Sequence, residues 1–396
     1  MREVISLMIK DSSVYFASKI VIALLNLYVI YYIANHFGSE TYGNFSISLL
    51  ISVTISNITA TWISQAYLRK FDKECIDLGV FAISIVCMLL STAIFSSIFY
   101  CYSFDIRNSY GELFFLSVSQ SVYIIGRTIL QKHRLIKKFF VLDSLRMLTI
   151  LLVLVLFEFK QGLSLIIYSY IIGNMFFICV VLGNINVKSF SGETFKTLSS
   201  WFKFGFPVAI WLSLASLQLL VDRELLRYFF GDTASGNYSL SYDLILKFAS
   251  ILIIPISNAI YPILVENERK ISNYKSVSTF LSLASLGIAL LSSLFVYIFW
   301  PYVVDYTMVE LPTIELSILT FGVVLWQLGL IYQKPLEMQN KTLGMVINIL
   351  ICIVISLLLN VCFSLLNYPS GFPITVAFSS ILYLCLTYYK SSKVAR

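Results

Sequence analysis

Four cations lie inside otherwise apolar runs of this chain: Lys19, Arg146, Arg223 and Lys247. A charged side chain in such a setting is costly and faces a packed interior or a water-filled cavity, so each is a functional candidate by default. Arginine and lysine offer charged N–H donors to acidic oxygens, and four of them could carry an anion through a region that excludes water. Acids accompany the cations. Asp143 stands three residues before Arg146 and Asp243 four before Lys247. These spacings place two side chains on one helix face, so each pair can also neutralise itself. Asp222 adjoins Arg223 at the head of the segment DRELLR. That segment can lie in a membrane interface, and Lys19 can snorkel to a surface. With Glu224 counted, the embedded acids and cations balance, which weakens a purely electrostatic account of anion binding.

Other chemistry is poorly represented. The two histidines, His36 and His133, belong to no HExxH, HxxxxD or Ser/His/Asp arrangement, and no phosphate-binding loop occurs. The seven cysteines show neither CxxC nor mixed His/Cys spacing, so they are expected to be small core residues and not metal ligands or a disulfide framework. No metal, no cofactor and no catalytic residue is expected, and the chain is read as a non-enzyme.

The elements that must hold these side chains follow from composition. Apolar residues make up 58% of the 396 and charged ones 12%, and the apolar residues come in runs of about twenty, long enough to cross a hydrocarbon core. Twelve spans are expected, at 13–36, 44–68, 76–101, 113–131, 139–157, 163–183, 204–228, 237–264, 277–300, 314–333, 343–366 and 372–389. The run from Ser13 to His36 is too long for a signal-peptide core and lacks a small-residue cleavage site after it, so it is expected to remain as the first helix. With the N-terminus inside, the cytoplasmic segments hold 21 Lys/Arg and the external loops three, Arg107, Lys160 and Arg227. That bias places both termini in the cytoplasm. The net charge of +7 is thereby a topology signal and does not point to nucleic acid. No soluble domain is inserted, and the longest connection, Asn184 to Ser200, reads as an amphipathic linker. Pro255 is mid-span, where proline removes a helix hydrogen bond, and is a hinge candidate. Pro207 is expected in a first helical turn.

The chain also repeats itself. FGSETYGNFSIS at 37–48 returns as FGDTASGNYSLS at 230–241, each copy between two long apolar segments. A duplication gives two halves, 1–198 with helices one to six and 199–396 with helices seven to twelve. In each copy Gly38 or Gly231 is expected to end one helix, and Gly43-Asn44 or Gly236-Asn237 to open the next.

Two six-helix halves, each opened by a helix, an F-G-x4-G-N-[FY]-S turn and a second helix, resemble the multidrug/oligosaccharidyl-lipid/polysaccharide exporter superfamily. The segment IIPISNAIYPILVE, with Pro255 and Pro262, is similar to the eighth helix of its polysaccharide branch, the Wzx-type O-antigen flippases. The resemblance implies an all-α transporter of the bacterial inner membrane. It would move undecaprenyl-diphosphate-linked oligosaccharide from the cytoplasmic to the periplasmic leaflet by alternating access. It implies the lipid-linked oligosaccharide and the bilayer as partners and leaves room for other membrane proteins of polysaccharide assembly. Two alternatives stay open. A cation-coupled drug exporter of the same superfamily would want embedded acids without matched cations, and here every embedded Asp has a basic residue nearby in sequence. A membrane-bound polysaccharide polymerase or acyltransferase would want a large charged loop or a buried histidine.

Overall fold

The computed structural model describes residues 2–70, 76–102, 109–133, 135–157, 162–182, 187–188, 194–267, 286–302, 311–333, 336 and 342–394. Among them eleven helices follow one another. They are α1 (Arg2–Lys70), α2 (Leu78–Tyr102), α3 (Tyr110–Lys132), α4 (Ile136–Leu156), α5 (Leu163–Leu182), α6 (Thr194–Phe230), α7 (Asp232–Asn267), α8 (Leu286–Tyr302), α9 (Thr313–Tyr332), α10 (Thr342–Leu365) and α11 (Gly371–Val394). The only strand pairing among the described residues is a two-residue parallel bridge, Ile76–Asp77 with Val187–Lys188.

Nine stretches of the described residues are long and apolar enough to cross a membrane. The first, Ile20–Leu68, holds two of the expected spans, because α1 is continuous except at Gly38. The expected span 277–300 meets the shorter apolar helix α8, and 237–264 lies within α7. The fold is therefore all-helical and polytopic, with twelve an approximate count.

The repeat governs two sharp reversals. Gly38 has φ +84° and Gly231 has φ +88°, a region that residues with a Cβ rarely enter, so each ends one helix while the next starts one residue later. Gly43-Asn44 and Gly236-Asn237 do not open those helices, contrary to expectation. They sit one turn inside them, and the reason for glycine is approach. A Cβ on Gly43 would stand 2.6 Å from the Gly236 Cα, and a Cβ on Gly236 would run into the Ser39 carbonyl. The two copies of the repeat thus meet backbone to backbone.

Other expectations need correction. Helix α6 starts at Thr194, so the last seven residues of the expected linker are helical and Pro207 is an interior residue, not a first-turn one. Of the described cysteines only Cys352 is buried; Cys87, Cys101, Cys179, Cys362 and Cys385 lie on exposed helix surfaces. Small apolar-tolerant side chains suit a lipid-facing surface as well as a core.

By compactness the chain falls into two units. Unit one is Met1–Val29 with Asn44–Leu220, and unit two is Ile30–Gly43 with Val221–Arg396. These follow spatial contacts, whereas 1–198 and 199–396 follow the sequence repeat. In unit one Trp62, Ile63, Met88, Ile125, Phe177 and Trp201 form the core. Between its helices run hydroxyl contacts, such as Thr54 Oγ1 to Ser216 Oγ at 2.9 Å and Ser56 Oγ to the Ser117 carbonyl at 3.0 Å. Small hydroxyl residues let apolar helices pack closely while satisfying their polar atoms. Helix α3 begins with a capping box, in which the Ser109 hydroxyl accepts from the Glu112 N–H and Glu112 accepts from the Ser109 N–H. In unit two α9 and α11 cross where a Cβ on Gly322 would stand 2.8 Å from the Ala377 nitrogen.

Candidate functional site

Among the described residues, each unit buries one arginine in a polar cluster. In unit one the cluster gathers around Arg146, ten residues or about 15 Å along α4 from Ile136. Its Nε donates to Asp143 Oδ1 at 2.8 Å, one turn back on the same helix. Its NH1 donates to Asn174 Oδ1 on α5 at 3.2 Å, and its guanidinium lies 4.3 Å from the centre of the Tyr123 ring on α3. The Tyr123 hydroxyl donates to the same Asp143 oxygen at 2.8 Å, and Asn174 passes its amide on to Ser119 Oγ at 3.2 Å. Three helices are pinned by one ion pair. Asn174 can reach because its neighbour is glycine: a Cβ on Gly173 would stand 2.6 Å from Ile150 and 3.1 Å from the Arg146 carbonyl, so α4 and α5 touch there.

In unit two Arg223 is 1% exposed near the end of α6. Its two terminal nitrogens grip both oxygens of Asp243, NH2 to Oδ1 at 2.7 Å and NH1 to Oδ2 at 3.1 Å. Such a fork is the strongest form of ion pair between side chains. Asp243 is on α7, across the Gly231 reversal, and the antiparallel return of α7 on α6 brings the two together. The Tyr42 hydroxyl donates to Asp243 Oδ2 at 2.7 Å, and Ser235 Oγ donates to the Arg223 carbonyl at 3.0 Å. Tyr42 and Ser235 occupy equivalent places in the two copies of the repeat, each just before its second glycine. Tyr42 thus reaches the carboxylate of the ion pair, and Ser235 the backbone of its arginine.

The sequence-predicted residues are distributed as follows. Asp143 and Arg146 meet on α4 as their spacing dictates. Arg223 and Asp243 meet, a pairing twenty residues apart that sequence proximity does not suggest. Asp222 accepts from Asn360 Nδ2 on α10 at 2.7 Å, while its Oδ2 is buried with no hydrogen-bond partner among the described residues. Lys247 is half-buried on α7, one turn beyond Asp243. The side chains of Lys19 and Pro255 lie outside the described residues, though Pro255 itself falls within α7. Glu224 pairs with Arg227 at 2.7 Å.

Four functional partners escaped the sequence reading: Tyr42, Tyr123, Asn174 and Asn360. A signal existed for two. Asn174 and Asn360 are amides inside otherwise apolar runs, IIGNMFF and LLLNVCF, and an amide there needs a polar partner as surely as a charge does. Among the described residues no three His, Cys, Asp or Glu side chains gather as a metal site would require.

No protein-family model matches the chain, and no curated protein sequence matches it. Solved structures do. One is a multidrug resistance MATE family transporter of the MOP superfamily in an inward-facing conformation, at 12% identity and TM-score 0.63, covering 97% of this chain and 94% of that one. A second is a variant of the Vibrio cholerae MATE transporter VcmN, at 13% identity and TM-score 0.66, covering 97% and 96%. A third is a MATE protein in a straight conformation, at 13% identity and TM-score 0.61, covering 98% and 96%. Across nearly its whole length, the chain has the fold of the MATE transporters.

Proposed function

We propose that the chain is a membrane exporter that moves an undecaprenyl-diphosphate-linked oligosaccharide between the leaflets of a bacterial inner membrane, with both termini cytoplasmic. The observation that carries this reading is Lys247. Lys247 is a half-buried cation in the apolar stretch of α7, and an ammonium there can offer charged donors to a diphosphate. The MATE-like fold and the doubled glycine turn agree with the resemblance to O-antigen flippases. The test is a strain lacking the chain. Lipid-linked oligosaccharide should accumulate on the cytoplasmic leaflet and surface polysaccharide should be lost; normal surface polysaccharide would refute the reading.

A second reading, a cation-coupled drug exporter, is favoured by Asp222 and by the multidrug transporter among the similar structures. Asp222 is 2% exposed, its neighbour Arg223 is turned to Asp243, and one of its oxygens is unpartnered. A buried carboxylate so placed suits a coupling cation or proton. If it serves drug export, Asp222→Asn should abolish cation-driven efflux of a lipophilic dye from proteoliposomes while leaving oligosaccharide assembly intact.

A further inference from the structure

Helix α10 carries a row of polar side chains at four-residue intervals: Asn348, Cys352, Ser356, Asn360 and Ser364. In a helix, side chains four apart lie on successive turns, each step about 40° further round, so the row winds as a ridge and rises about 24 Å along the axis. None of its members is more than 6% exposed. An apolar helix would gain by placing leucine at such positions, because a buried polar atom without a partner is destabilising. Yet among the described residues five atoms of the row have no hydrogen-bond partner: Oδ1 and Nδ2 of Asn348, Oδ1 of Asn360, and the hydroxyls of Ser356 and Ser364. The row does not end blindly. Asn360 donates to Asp222 Oδ1 at 2.7 Å, and Asp222 Oδ2 is the next unpartnered atom. Polar atoms spaced about 6 Å apart along an axis suit bridging water, which needs two to four such partners.

We propose that the α10 row is a hydrated path that brings water and protons to the carboxylate of Asp222. Asn348 offers a donor and an acceptor at one end, the serine hydroxyls can both give and receive a proton, and Asn360, one turn before the last serine, fixes the carboxylate. A proton arriving there is accepted on Oδ2 and leaves by the same file, so no co-reactant is consumed. The proposal goes beyond either export reading and does not depend on what is exported.

Cys352 lies within the row and supplies a reporter. The full chain, with Cys352 as its sole cysteine, is reconstituted in lipid and moved into deuterated water, and the S–H stretch is followed by infrared spectroscopy. The expected result is conversion to S–D within minutes, slowed at least ten-fold by Asn348→Leu with Ser356→Val. Should that pair fail to fold, Ser356→Ala alone is expected to slow it several-fold. A thiol band that persists for hours in the unaltered row, or exchange that is equally fast in the apolar variants, overturns the path. In the same sample, the protonated carboxyl band removed by Asp222→Asn should appear rapidly on acidification and more slowly in the apolar variants. An unchanged rate overturns proton delivery to Asp222. Neither readout involves transport, so failure here is separate from failure of the proposed function.

Discussion

The Arg146 and Arg223 clusters use the same chemistry with different reach. Arg146 takes its acid from one turn back on α4, and its other partners, Tyr123 and Asn174, come from the flanking helices α3 and α5. Arg223 takes its acid from beyond a helix reversal, and Tyr42 joins from the other copy of the repeat. The first cluster staples neighbouring helices of one unit. The second lies where the two copies of the sequence repeat meet. A buried ion pair is weak evidence of stability in itself, but removing one partner leaves an uncompensated charge and is strongly destabilising. The two sites should therefore be equally intolerant of single changes and differ in what a compensating change restores.

The largest effect is expected from the acids. Asp143→Asn and Asp243→Asn should each cost about 3–5 kcal/mol, read as membrane level and melting temperature of the purified protein. At the first site Asp143→Asn with Arg146→Met should restore most of that loss, because the pair is local. At the second, Asp243→Asn with Arg223→Met should restore stability, whereas Asp243→Asn with Lys247→Met should not. Recovery by the Lys247 combination would break the assignment of Asp243 to Arg223.

The tyrosines come next. Hydrogen bonds to a charged acceptor contribute about 1.5–3 kcal/mol, so Tyr42→Phe and Tyr123→Phe should each lower stability by that order. Tyr42→Phe should also loosen the contact of the two repeats, seen as faster backbone hydrogen exchange at Ser39–Gly43. Tyr123→Phe should leave that exchange unchanged. Equal exchange in both would erase the difference in reach.

Smaller effects distinguish the glycines within each copy. Gly43→Ala and Gly236→Ala should cost about 1–3 kcal/mol through overpacking against backbone. Gly38→Ala and Gly231→Ala meet open space and should cost about 1–2 kcal/mol, through the left-handed conformation alone. Enlarging further to Leu separates the two causes. It should worsen the outcome steeply at 43 and 236 and barely at 38 and 231.

What the sequence disclosed, and what it hid, follows the same division. Span length and hydropathy set the helices, because twenty apolar residues leave few alternatives in a membrane. The reversal at Gly38 and Gly231 could be read from the repeat, and the Asp143–Arg146 contact from three-residue spacing. Contacts that close only in three dimensions could not. Arg223 had Asp222 beside it and Asp243 twenty residues away, yet adjacent residues on a helix point apart, and the tight turn at Gly231 decided for Asp243. Gly43 and Gly236 looked like turn residues because glycine serves turns and close crossings alike, and only the packed copies tell these apart. The early start of α6, and with it the interior position of Pro207, is hidden by the polar stretch before it.

The export claim is tested most directly by Lys247→Met in purified protein reconstituted with an undecaprenyl-diphosphate-linked oligosaccharide, with the leaflet distribution followed by accessibility to an added glycan-binding protein. A fall in transbilayer movement of at least ten-fold, at unchanged melting temperature, is the predicted result. Movement at the unaltered rate would contradict the role given to Lys247 and, with it, the observation on which the proposed function rests.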